Sequence, residues 1–536
     1  MRKLLVTLLL ILGSSPAIRA GVDGQWEVSV PGSATGLLLE FKSDGNRVTG
    51  SLSGPNGKLE IVNGSIAADT ISFETVLQLE GRTITVSYTG RISGDAIELT
   101  AHSTEFGAEQ PLTAKRRDPN APPPDWFSEN PAPDEVLAWL KANAIRLASV
   151  QPGSSFADMA PLLARLKDAR VVAMGEATHG TREFQQFKHR MLEFLVENLG
   201  FTVFGIEANW PESLSVNEYV LGGKSDPVDG LGFRVWQTEE VLEMVRWMRQ
   251  YNQDPAHARK LKFYGFDMQT PGLAESNVLE YLRRVDPEYR ETAAQTFAVL
   301  GSWGENQVYE NASAEVKRRT AASPAAMLGR FDERKREYIR RSSQDEFAMA
   351  RQNMAIVKQA EVKIGNQNEL GRASRDRAMA ENVKWILDQE PPGTKMMLWA
   401  HNGHVAAEGE THPPMGAHLR EIFGERAVLC GFVFEEGGFR AVDMATNATT
   451  NFSVGPAPRG SLDATLAATG LPLFAVDLRH LPEGKVAAWF DAPHRSRQIG
   501  AGYSAQTPGV WLHQVRAARA FDLLIFVGKT TPSRPL

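Results

Sequence analysis

The stretch that decides the fold is "VVAMGEATHGTREFQQFKHRMLEFLVENLGFTVFGIEAN", Val171 to Asn209. It opens on an apolar run and breaks into Gly-Glu-Ala-Thr-His-Gly. Phe184, Phe187, Met191, Leu195 and Leu199 then recur at helical spacing, and Gly200 marks the stop of that helix. A second apolar run ends in Ile-Glu-Ala. Strand, helix and strand in this order form a β-α-β unit, whose crossover makes the two strands parallel. Glu176 and Glu207 therefore leave the sheet at the same edge, the edge where open α/β sheets place their ligands. His179 and Arg182 fall on the loop and first helical turn after the first strand.

Further strands of this kind are expected at 261–266, 395–400, 427–434, 473–477 and 523–527, with helical patterns between most of them. The fold class is α/β: a largely parallel central sheet flanked by helices. "KFYGFDMQ" ends in Asp267, and "KMMLWAHNGHV" ends in His401, Asn402 and His404. Ionisable groups at the ends of four apolar runs point to one common site. The charged stretch from about 305 to 365 is expected to form a helical lobe with solvated faces. His189, on the helix of the opening stretch, reads as a surface residue.

Upstream, residues 21–117 alternate in short runs separated by Ser-Asp-Gly-Asn, Gly-Pro-Asn-Gly and Ser-Gly-Asp, which is hairpin chemistry. They predict a small all-β accessory domain, a barrel or a sandwich. "RRDPNAPPPDW" begins a proline-rich linker over 118–130, and 131–536 is the α/β domain. Residues 1–20 carry Arg2 and Lys3, an apolar run from Leu4 to Leu12 and a small-residue site near Ala20, the layout of a secretory signal peptide. A secreted or periplasmic protein is expected, with no stable membrane insertion after cleavage. The 536-residue chain has net charge −6, so nothing suggests a nucleic-acid partner. Its single cysteine, Cys430, can form no internal disulfide and reads as a buried thiol.

Three motifs, "GEATHGTREFQQFKHRMLEFLVENLGF", "RDRAMAENVKWIL" and "WAHNGHV", resemble the erythromycin esterase family in order and approximate spacing. The resemblance runs from about Pro131 to Leu536, and the leading β-module departs from the family's resistance enzymes. It implies a metal-independent hydrolase, without cofactor, that opens an ester or lactone such as a macrolide. It also implies that His179 activates water and that Glu176, Glu207, Arg375, His401 and His404 complete the catalytic set. Arg182, Asp267 and Asn402 are expected to bind substrate. The chemistry agrees with this. No Gly-x-Ser-x-Gly elbow occurs in the α/β domain, so water must attack, and a neutral imidazole is the natural base. Two other readings stay open: a metal-dependent hydrolase on the same His/Glu cluster, and a non-catalytic ligand-binding protein.

Overall fold

The computed structural model describes residues 21–29, 36–54, 57–79, 82–103, 109–121, 126–300, 313–365 and 369–536. The expected signal peptide, Pro122–Pro124 of the linker and residues 305–312 of the expected lobe lie outside these. The chain divides into two compact units, Met1–Trp126 with Ser504–Val510, and Phe127–Tyr503 with Trp511–Leu536.

The first unit is a closed antiparallel barrel of eight strands. They are β1 Gly24–Ser29, β2 Leu37–Asp44, β3 Arg47–Gly54, β4 Gly57–Ala67, β5 Thr70–Leu79, β6 Arg82–Ser93, β7 Ala96–Ser103 and β8 Glu109–Arg116. Pairing of β1 with β8 closes the sheet and abolishes its edges, which settles barrel against sandwich. The turn signals act as read: Gly45 and Gly94 take positive φ (60° and 61°) inside two-residue loops. Alternate residues such as Trp26, Val28, Leu39, Phe41, Ile71 and Ile97 fill the interior. Phe73 stacks on Tyr88 with ring centres 4.6 Å apart.

The second unit is built on a ten-stranded sheet. Its strands are β9 Ile145–Arg146, β10 Val171–Met174, β11 Val203–Asn209, β12 Lys262–Asp267, β13 Met396–Trp399, β14 Ala427–Asp443, β15 Thr449–Val454, β16 Leu473–Asp477, β18 Gly502–Tyr503 and β20 Leu523–Thr530. A separate ribbon pairs β17 His494–Arg497 with β19 Leu512–Val515. The main order is β12-β11-β13-β10-β14-β20-β16-β9. The first six strands are parallel; at the far side β16 runs antiparallel to β20, and β9 antiparallel to β16. Val171 and Ala173 pack into one apolar core and Val172 and Met174 into another, so helices cover both faces.

The crossover helix Arg182–Leu199 joins β10 to β11, but these strands do not touch. β13 lies between them and pairs with both. The helix ends on Gly200 at φ 70°, as its sequence indicates. Its expected polar face is nonetheless buried. His189 is 5% exposed rather than a surface residue, because Trp247 covers it at 5.5 Å between ring centres. Lys188 and Arg190 are fully buried. The charged segment after residue 313 forms helices Ala314–Glu333, Lys335–Arg341 and Gln344–Gly365. Met327, Phe331, Phe347 and Met354 on them join the main core.

Candidate active site

The four neighbouring strands β12, β11, β13 and β10 deliver Asp267, Glu207, His401 and Glu176 to one edge. The motif glycines are forced by close approach. A Cβ on Gly175 would run into Asn402 Oδ1, and one on Gly180 into the Arg440 carbonyl. Both clashes are with packed structure, so only glycine fits there.

Two clusters result. In the first, His179 Nδ1 lies 2.6 Å from Glu176 Oε1. The other carboxylate oxygen, Oε2, accepts from Trp399 Nε1–H at 2.8 Å and from the Lys188 ammonium. Trp236 packs edge-on to His179 at 5.1 Å and is itself fixed by donating to the Glu207 carbonyl at 2.8 Å. With Nδ1–H given to Glu176, the lone pair of His179 is on Nε2.

The second cluster centres on Arg375, from the helix Glu369–Gln389. Its Nε and Nη2 grip Asp267 at 3.1 and 2.7 Å, and Nη2 also donates to Glu207 Oε1 at 2.7 Å. The other Glu207 oxygen accepts from the His401 backbone N–H at 2.9 Å. Burial alone would raise the Glu207 pKa, but His404, Arg375 and His179 outweigh it and hold the carboxylate well below its usual range.

His404 Nδ1 sits 2.7 Å from Asp376 Oδ1. Burial opposes its charge, yet Asp376 and Glu207 raise its pKa to about 10. At Nε2 two contacts compete: Arg375 Nη1 at 2.9 Å, which needs a lone pair, and Glu207 Oε1 at 3.3 Å, which needs a proton. The charged form prevails. A neutral His404 would leave Asp267, Glu207 and Asp376 facing one guanidinium, and an uncompensated buried ion costs about several kcal/mol.

His404 thus carries positive charge and is no base. Its folded pKa lies above the unfolded value of about 6.5. Its stabilising effect is therefore complete below about pH 6.5 and is lost as pH rises through about 10. Urea unfolding between pH 7 and 10.5 is expected to show this decline, and the Asp376→Asn variant is expected to flatten it.

His401 takes the opposite state. Its Nδ1 accepts from the Gly403 backbone N–H at 3.1 Å. Burial holds its pKa well below the ordinary value, and a proton on the neighbouring His179 would lower it further. The proton of the neutral ring must therefore be on Nε2, a buried atom that lies beside the Ala177 backbone and makes no close hydrogen bond among the described residues. The His179 and His401 rings are 5.4 Å apart.

The structure brings His179, Glu176, Glu207, Arg375, His401, His404 and Asp267 together, the last as an anchor of Arg375. Two expected substrate contacts are not brought in. Asn402 is spent on the sheet: its side chain donates to the Phe432 carbonyl at 2.7 Å and accepts from the Phe432 N–H at 3.0 Å. Arg182 points to Glu240, 3.2 Å away, because it begins the helix on the side of the helix Glu239–Gln253. Sequence reasoning missed Asp376, Lys188, Trp236 and Trp399. Asp376 directly follows Arg375, and its adjacency was the one available signal. Among the described residues, no three His, Cys, Asp or Glu side chains converge so as to hold a metal ion.

Fold and site together define an α/β protein with a paired-histidine polar site at the carboxyl edge of its sheet. A family model described as erythromycin esterase matches residues 196–530, and the chain belongs to that family and is a hydrolase of it. The Bacillus subtilis (strain 168) protein YbfO, named as a hydrolase, is 26% identical over 424 residues, covering 74% of this chain and 91% of its own. Erythromycin esterase type II of Escherichia coli is 24% identical over 378 residues, covering 64% and 89%. A crystal structure of a Bacillus cereus protein superposes with a TM-score of 0.67 at 26% identity, over 75% of this chain and 98% of the other.

Proposed function

We propose that this hydrolase cleaves a carboxylic ester or lactone by direct attack of a water activated by His179, with no acyl-enzyme. The observation that carries this is a pair of neighbouring imidazoles held through Nδ1 in opposite ways, His179 against the Glu176 carboxylate and His401 by the Gly403 N–H. His179 is thereby left with a lone pair at Nε2, and His401 with an N–H at its own Nε2. Water between ring and substrate gives a proton to His179 Nε2 as its oxygen bonds the acyl carbon. The developing oxyanion is met by His401 Nε2–H. Collapse breaks the acyl–oxygen bond, and the leaving alkoxide takes the proton back from His179. The products are a carboxylic acid and an alcohol, one chain if the substrate is a lactone. Glu176 steadies the transient imidazolium. A preformed donor such as His401 is worth on the order of 3 kcal/mol in the transition state. Cys430 supports the absence of a covalent route: it is buried, and burial pushes its thiol pKa up.

Residues 1–20 read as a leader, so we place the reaction outside the cytoplasm. The test is a hydrolysis screen of macrolide lactones, simple lactones and linear esters with the exported protein, with and without exhaustive chelation. Turnover of at least one ester, undiminished by chelator and with solvent oxygen entering the acid, is expected. No turnover of any ester, or activity that returns only with added metal, would overturn the proposal.

A further inference from the structure

The hydrolytic scheme leaves the buried cation beside Glu176 without a task. Lys188 lies in the second turn of the helix Arg182–Leu199, and none of its side chain reaches solvent. An ammonium is rarely buried, because losing its hydration is costly unless partners replace water. Here the replacements are all aimed at it. Its Nζ bonds Glu176 Oε2 and lies 4.3 Å from the centre of the Trp399 ring and 5.2 Å from that of Phe432. Trp399 acts twice, since its Nε1–H also donates to Glu176 Oε2. The two carboxylate oxygens are thus divided. Oε2 is held from below by helix and strand, and Oε1 faces His179.

We propose that Lys188 is a positioning residue for the hydrolysis: its buried ammonium, with the Trp399 N–H, clamps one oxygen of Glu176 so that the other keeps His179 in a single tautomer. A carboxylate torsion is soft and two-fold, so an unclamped Glu176 can turn either oxygen upward. Lacking a counter-ion, it can also take a proton and donate to Nδ1, which would invert the tautomer and place the hydrogen on Nε2. His179 could then no longer accept from water. Lysine suits the task because it presents a compact charge with rotatable donors on a long stem. Burial lowers its pKa to about 8, with Glu176 and then Glu207 pulling it upward, so the clamp is charged at neutral pH.

The proposal rests on His179 being the base, but its structural half needs no substrate. The full-length protein labelled with 15N-histidine gives the tautomer of each ring by NMR, and His179→Asn assigns the signals. Wild type is expected to show one His179 tautomer, with a low-field Nδ1 proton. Lys188→Met is expected to lose that proton and to show mixed tautomers. On an ester found in the screen, kcat is expected to fall about 100-fold with KM changed less than about twofold. Lys188→Gln keeps an N–H donor without the charge and serves where the methionine variant fails to fold, with thermal melting as the check. A folded Lys188 variant that retains the low-field proton and a single tautomer would sink the clamp. If the tautomer collapses while wild type hydrolyses no ester, the clamp stands and the esterase assignment falls.

Discussion

His179→Ala is expected to lower kcat by about 10²- to 10⁴-fold on any ester the protein cleaves, with KM changed only a few-fold. His179 is the one imidazole here whose Nδ1 is given to a carboxylate that leaves Nε2 to accept from water. His404 holds its proton against Asp376 and Glu207, and His401 Nδ1 is occupied by the Gly403 N–H. No neighbour can take over as base. Removal of the ring is expected to leave the protein folded but less stable, because Glu176 keeps two of its three donors, Lys188 and Trp399. Losing one hydrogen bond to a charged group is worth about 1.5–3 kcal/mol. Steady-state kinetics beside a urea melt separates the two effects. Loss of turnover matched by loss of the fold, or retention of more than about a tenth of kcat, would refute the assignment.

Arg375→Met is expected to do damage of both kinds. The guanidinium bridges Asp267 and Glu207, carboxylates whose side chains are 0% and 8% exposed. Removing one partner from a buried pair leaves uncompensated charge and costs about 3–5 kcal/mol. His404 loses its guanidinium neighbour, and Glu207 loses the anchor that fixes it under the His401 backbone N–H. Activity is expected to fall by about 10²- to 10³-fold, the effect of displacing one oxyanion-site donor. Arg375→Lys keeps the charge but cannot span three acceptors, so it is expected to recover stability and little turnover. The double variant Arg375→Met/Asp267→Asn removes one stranded anion. It should melt higher than Arg375→Met alone; equal melting temperatures would show that Asp267 is not the charge Arg375 neutralises.

The sheet edge was legible because strand periodicity and crossover handedness fix where a chain leaves a sheet. Glu176, Glu207, Asp267 and His401 needed nothing more. What could not be read was which helix faces would be covered. Lys188, His189 and Arg190 look like the wet side of an amphipathic helix, and only tertiary packing against Trp247, Trp399 and the loop before residue 158 makes them dry. For the same reason Arg182 reads from its position as a substrate contact when its partner is Glu240. Asn402 has the composition of a contact residue, but its donor and acceptor match one backbone unit of β14, and the sheet claims both. In the barrel, seven strands show clear alternation, while the eighth, "EQPLTAKR", hides behind Pro111 and is revealed only by its pairing with β7 and β1.

The placement of β13 between β10 and β11 has a consequence for how the molecule is made. A ribosome releases the first two of these strands nearly two hundred residues before the third. During that interval β10 has neither of its neighbours and β11 can pair only with β12, so each presents an open, strongly apolar edge. Pairings that join distant segments close slowly, and exposed edges in the meantime invite association with other chains. Glu207 and Glu176 meanwhile lack the tryptophan and histidine segment that gives them their purpose. The hydrolytic centre is thus among the last things the nascent chain can assemble, and a product truncated before residue 396 would hold both halves of the motif and no working site.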